Sequence, residues 1–174
     1  MPVDPAAEAA YAEFVRERWR DLVRAAVFLG ASPHEAEDIA QTTLVNCYRE
    51  WPRVTGADNR EAYVYRMLLN CLRDQRRTRW WKGRVDADPE RVGDHVVSDS
   101  SEAVATADAV HRALGSLSKA NRDVVVLRYF VQLTEAQTAQ ALGIATGTVK
   151  SRLSRAMARL AADHHLRDLA EENR

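Results

Sequence analysis

The stretch from Leu133 to Leu153 constrains this chain more than any other. Two helices that cross closely need a small residue at the crossing, and Ala139 supplies it. The turn between them needs a residue that tolerates positive φ, and Gly143 follows four positions later. Leu142, Ile144 and Val149 are the apolar contacts that would lock the pair. Residues advance about 100° each around a helix. On that wheel Val149, Leu153, Ala156 and Leu160 share one side. Thr148, Ser151, Arg152, Arg155 and Arg159 share another, with Lys150 on its flank. A DNA-recognition helix needs this division. The apolar side docks on its own domain, Arg reaches guanine or phosphate, and Ser and Thr bond bases or backbone. The free N–H groups at the helix start favour a phosphate. Arg152 or Arg155 alone would read as solvated surface. Together with the turn spacing they predict a DNA-binding helix-turn-helix.

A formal net charge of zero argues against DNA binding only if charge is spread evenly. It is not. Residues 66–84 carry a net +6, and residues 86–108 a net −6. The local field decides whether phosphates are attracted.

The remaining periodicity is helical throughout. Val15, Trp19, Leu22, Ala26 and Leu29 form a stripe within Tyr11 to Leu29. Ser32, Pro33 and Glu35 have the pattern of an N-cap, first-turn proline and capping box. The stripe behind them is Ala36, Ile39, Ala40, Thr43, Leu44 and Cys47. Pro52 and Gly56 read as a loop, followed by a helix from about Arg60 to Lys82. Residues 85–103 lack a period and read as a flexible acidic linker, able to fold back on the basic segment before it. Then come a stripe through Val104, Ala107, Val110, Leu114 and Leu117, and a helix from Arg122 to Val131. The expectation is an all-α chain of two small helical domains joined by a flexible linker, the C-terminal one holding the helix-turn-helix. The boundaries are residues 1–84, 85–103 and 104–174.

Other function classes find little support. No apolar run approaches the roughly 20 residues that cross a bilayer, so a cytoplasmic protein without membrane insertion is expected. Cys47 and Cys71 fall within helices and read as small packed side chains, so no metal site is expected. The five histidines have no nucleophile or carboxylate set around them, so neither catalytic residues nor cofactors are expected.

The order of motifs resembles the extracytoplasmic-function sigma factors, the sigma-70-type initiation subunits of bacterial RNA polymerase. Leu142-Gly-Ile and the run from Gly147 to Ala156 resemble their −35-reading region. Ala36 to Val45, ending at Tyr48 to Trp51, resembles their polymerase-binding helix. Asn70, Asp74, Arg76 and Arg77 resemble the segment that reads the −10 element and opens the duplex. Three departures stand out. The family often has Glu-Ile-Ala where this chain has Gln137, Thr138 and Ala139. A Ser usually precedes the recognition helix, where Ala145 stands here, so the cap falls to Thr146 or is absent. A common Pro is replaced by Ser118.

The resemblance implies three sets of residues. Thr146, Gly147, Thr148, Lys150, Ser151, Arg152 and Arg155 would contact the −35 element. Asp58, Asn59, Asn70, Arg73, Arg76, Arg77, Trp80 and Trp81 would engage the −10 element, the loop near Asn59 holding a flipped base. Asp38, Gln41, Val45 and Arg49 would face the coiled-coil clamp of the largest polymerase subunit. The implied partners are core RNA polymerase, promoter DNA and, typically for the family, an anti-sigma factor. Two rivals remain. One is a conventional helix-turn-helix regulator acting without polymerase. The other is a nuclease or recombinase that docks through the same motif.

Overall fold

The computed structural model describes residues 4–83 and 101–162, with side chains for 4–78 and 108–162. The expected linker through residue 100 therefore lies outside the described residues, as do the side chains of Trp80, Trp81, Val104 and Ala107. Every regular element among the described residues is helical.

The first half comprises α1 (Pro5–Phe28), α2 (Pro33–Arg49), α3 (Trp51–Thr55) and α4 (Arg60–Gly83). Helix α1 begins earlier than its stripe suggested, because the Asp4 side chain accepts from the Ala6 N–H at 3.1 Å and Pro5 fits the first turn. Its end is a Schellman turn. Gly30 takes φ 98°, its N–H bonds the Val27 carbonyl, and the Ala31 N–H reaches Ala26 at 3.0 Å. Helix α2 starts on the expected capping box. Its six stripe residues are all buried, so it packs on α1 and α4 through that face.

The Pro52 to Gly56 stretch is mostly a short helix, α3, and not a loop. Proline is tolerated in a first helical turn, where its missing N–H would have had no partner. Only residues 56–59 connect α3 to α4.

The second half comprises α5 (Ser101–Gly115), α6 (Lys119–Val125), a π-helical turn (Val126–Phe130), α7 (Glu135–Leu142) and α8 (Thr146–Ala161). The expected Arg122 to Val131 helix starts earlier, where the Ser118 hydroxyl accepts from the Asn121 N–H. It then widens. The Val131 N–H reaches back five residues to Val126 at 3.0 Å, and the Arg128 guanidinium ties the turn to the Leu133 carbonyl. This wider turn leads the chain into the helix-turn-helix.

The halves are in contact, and their buried side chains form one connected apolar cluster. Helix α7 packs against α4, and the π-turn against α1. Along this seam the Phe28 and Phe130 rings lie 4.3 Å apart. The Gln137 amide donates across it to Asn59 at 3.1 Å, while within the first half Arg76 donates to the Leu29 carbonyl at 2.8 Å.

Candidate functional site

The helix-turn-helix is built as its spacing requires. Thr134 and Gln137 form a reciprocal capping box at the start of α7. Gly143 takes φ 67° and ψ 38°, and the Ile144 N–H closes back on Ala139 at 3.0 Å. Helix α8 then buries Val149, Leu153 and Ala156. Each buried Val or Leu contributes roughly 1.5–3 kcal/mol to holding it there.

The opposite side of α8 is open. Thr146, Gly147, Lys150, Ser151 and Arg155 are exposed, and Thr148 and Arg152 are half-buried. All seven lie along one helix beside its N-terminal end. No side chain caps α8, so the second of the two alternatives for Ala145 and Thr146 holds. The Ser151 hydroxyl donates to the Thr148 carbonyl at 3.1 Å and accepts from Arg155. Lys150 leans 3.7 Å from the Glu135 carboxylate of α7.

Helix α4 carries a second polar stripe. Asn70, Arg73 and Arg77 are exposed at steps of three and four. Arg66 continues the stripe one turn earlier and was missed as a candidate, although its spacing is visible in the sequence. Arg73 donates to Asn70 at 3.1 Å, and Arg77 pairs with Asp74 at 3.3 Å. Asp58 is exposed in the preceding loop. Asn59 caps α4 by accepting from the Ala62 N–H. Arg76 is turned away from this stripe. It is half-buried at the α1 terminus, where burial and then the neighbouring Arg122 push its guanidinium pKa below its ordinary value.

A third surface lies on α2. Asp38, Gln41, Val45 and Arg49 are all exposed, opposite the buried stripe. Tyr48 joins them at 44% exposure, and Val45 reaches 45%. Two exposed apolar side chains one turn apart are unusual for a purely solvated face. Sequence reasoning missed Tyr48 as a contact, though it lies three positions after Val45. An aromatic group braces this end of α2. Tyr48 and Tyr11 lie 4.8 Å apart, Tyr11 and Phe14 both meet Trp51 at 5.3 Å, and Arg60 sits 4.8 Å over the Phe14 ring.

Among the described residues no group of His, Cys, Asp and Glu is placed to hold a metal ion, and no helix is long and apolar enough to cross a membrane. Both cysteines are free.

Both halves of the chain match known proteins. The family model for sigma-70 region 2 matches residues 14–82, and that for sigma-70 region 4 matches residues 107–160. An RNA polymerase sigma-E factor of Streptomyces avermitilis is 38% identical over 161 residues, covering 91% of this chain and 87% of that protein. The chain belongs to the extracytoplasmic-function sigma factors of the sigma-70 family. A second relative of this sigma factor is the ECF RNA polymerase sigma factor SigM of Mycobacterium tuberculosis, 34% identical over 87% of this chain and 76% of that one. Among solved structures it is similar to the sigma factor RpoE from Bartonella quintana, solved in complex with the anti-sigma factor NepR. That likeness has a TM-score of 0.74 at 26% identity and covers 87% of this chain and 94% of the other. Another is CnrH, solved with the cytosolic domain of CnrY, at a TM-score of 0.65 and 25% identity over 89% and 87% of the two chains.

Proposed function

We propose that this sigma factor binds core RNA polymerase through the exposed α2 face, places α8 on the −35 element and uses the α4 stripe with the Asn59 loop on the −10 element. Residues 1–84 form the polymerase-binding and −10 domain, 85–103 the linker, and 104–174 the −35 domain. It acts in the cytoplasm without catalytic residues of its own, and the polymerase performs the chemistry.

The observation that carries this reading is the placement of two different surfaces on the first domain. The α2 face offers Val45 and Tyr48 among Asp38, Gln41 and Arg49, a mixture suited to a protein partner. The α4 stripe offers Arg66, Asn70, Arg73 and Arg77, a spacing suited to a phosphate backbone. A conventional regulator needs only the helix-turn-helix and has no use for the first surface. Within α8, Arg152, Arg155, Thr148 and Ser151 reach base edges or backbone, Lys150 meets phosphate, and the uncapped amides at Thr146 and Gly147 donate to a phosphate oxygen. Trp80 and Trp81 complete the −10 set with flat faces for an opened strand, to which Arg76 adds charge only on leaving the Leu29 carbonyl. An anti-sigma factor is a further partner, supported by the complexes in which RpoE and CnrH were solved.

Run-off transcription with purified core polymerase tests the reading. Initiation that needs both core and this chain, and that fails for Val45→Asp, is the expected result. Tight duplex binding with no requirement for core would overturn it.

A further inference from the structure

We infer that Arg60 is a positioning residue for −10 recognition: held over the Phe14 and Trp51 rings, it fixes where Asp58 and Asn59 stand. The inference rests on the −10 role proposed above for that loop. Arg60 is the first residue of α4 and directly follows the connection of residues 56–59. Its guanidinium carbon lies 4.8 Å from the Phe14 ring centroid and 5.7 Å from that of Trp51. Trp51 opens α3, the element on the other side of the loop. One contact therefore ties the loop's exit to its entry.

A cation at this position calls for a physical reason. The first turn of a helix carries the positive end of its dipole, so a guanidinium there is disfavoured. The neighbouring carboxylates are engaged elsewhere. Glu61 accepts from Arg18 at 2.6 Å, and Glu50 accepts from the Tyr63 hydroxyl at 2.7 Å and pairs with Arg53 at 3.5 Å. The Arg60 Nε is buried with no acceptor among the described residues. The two ring faces hold the charge, by an attraction that strengthens as water is excluded.

The rings are themselves fixed. Phe14 and Trp51 lie 5.3 Å apart, Tyr11 meets Trp51 edge-on at 5.3 Å, and the Tyr11 hydroxyl donates to the Leu44 carbonyl at 2.8 Å. One turn along α4, the Tyr63 bond to Glu50 ties that helix to the start of α3 a second time. Asn59 stands next to Arg60 and caps α4, accepting from the Ala62 N–H at 3.3 Å, with Asp58 exposed beside it. Both side chains thus ride on backbone that is held at each end. A site that receives an extruded base needs its groups kept within about 0.5 Å of their places. A loose loop must instead be ordered at every encounter.

Arg60→Met keeps the apolar packing of the side chain and removes the charge. The probe is a single-stranded DNA selected from a random pool on the complex of this protein with core polymerase. The complex carrying Arg60→Met should bind that strand about three- to tenfold more weakly than the wild type, the loss of one desolvated cation–π contact. Phe14→Leu, which removes one ring face, should act in the same direction. Arg60→Lys should stay within about twofold of the wild type, because the charge is kept. Base preference separates positioning from general damage. Competition with single-base variants of the strand should show Arg60→Met relaxing preference at the same position as Asn59→Ala, and the double variant should lose little beyond either single one. If Asn59→Ala relaxes that preference while Arg60→Met and Phe14→Leu, melting as cooperatively as the wild type, leave it intact, the positioning role is wrong and the −10 reading stands. If Asn59→Ala itself changes no preference, the −10 reading falls, and the positioning role with it.

Discussion

Arg155 reaches back one turn along α8 to Ser151, donating from Nε to its carbonyl at 3.2 Å and from a terminal nitrogen to its hydroxyl at 3.3 Å. An arginine held at one edge presents its remaining donors in a fixed direction, which bidentate recognition of a guanine requires. Arg155→Ala should cost about 1–3 kcal/mol of binding to the cognate −35 sequence and flatten preference at one base position. Ser151→Ala should lower specificity more than nonspecific affinity. Competition binding against single-base variants of the site measures both.

Lys150 is drawn toward Glu135 in the free protein. The pair is largely exposed and contributes little to stability, in the range of about 0–1 kcal/mol. Its removal matters more to DNA. Glu135→Gln should release the ammonium and strengthen nonspecific duplex binding, and the slope of log K against log salt should steepen by about one contact. A salt titration with an unrelated duplex checks the change, and an unchanged slope would rule it out.

Thr138 occupies a fully buried core position, and its hydroxyl has no partner among the described residues. An unsatisfied buried hydroxyl costs about 1–3 kcal/mol. Thr138→Val keeps the shape and removes the cost. The urea midpoint should rise by the equivalent of about 1 kcal/mol with an unchanged slope.

Burial, with Cys71 nearby, pushes the Cys47 thiol from 9.0 up to about 12. Folding thus favours the neutral thiol. Its contribution to stability is complete below pH 9, the unfolded value, and is lost as pH rises from there toward 12. Cys71 is only half-buried and accepts a bond from Asn46 at 3.5 Å. Iodoacetamide at pH 8 should therefore label Cys71 first, and Cys47 only when the chain unfolds. Mass spectrometry of timed digests reads the order, and equal labelling rates would contradict it.

Local chemistry was legible wherever it dictated the outcome. Ser32, Pro33 and Glu35 announced the start of α2, and Gly143 announced the turn of the recognition unit, because caps and positive φ depend on a few neighbouring residues. Both helix faces followed from periodicity. Other features lay beyond local rules. Pro52 looked like a break yet sits in the first turn of α3, where proline is harmless. The widened turn at Val126 to Phe130 has no composition signal, and the Arg128 contact to the Leu133 carbonyl beside it is not visible in any local spacing. Arg76 belongs to a basic run by sequence, but the helix rotates it toward α1 while Arg73 and Arg77 stay outside. That rotation became informative only once α1 was in place.

Ala145 leaves the first turn of α8 without a side-chain cap. A Ser or Asn there would stabilise the helix by about 1 kcal/mol in the absence of DNA. Without one, those amides lack a side-chain acceptor until a phosphate oxygen arrives. In the −35 role proposed for α8, promoter contact would then do two things in one step: dock the helix and complete its own hydrogen bonding. A mismatched site that shifts the phosphate out of line would lose both, so discrimination at the −35 element would extend beyond the bases proposed for Arg152 and Arg155.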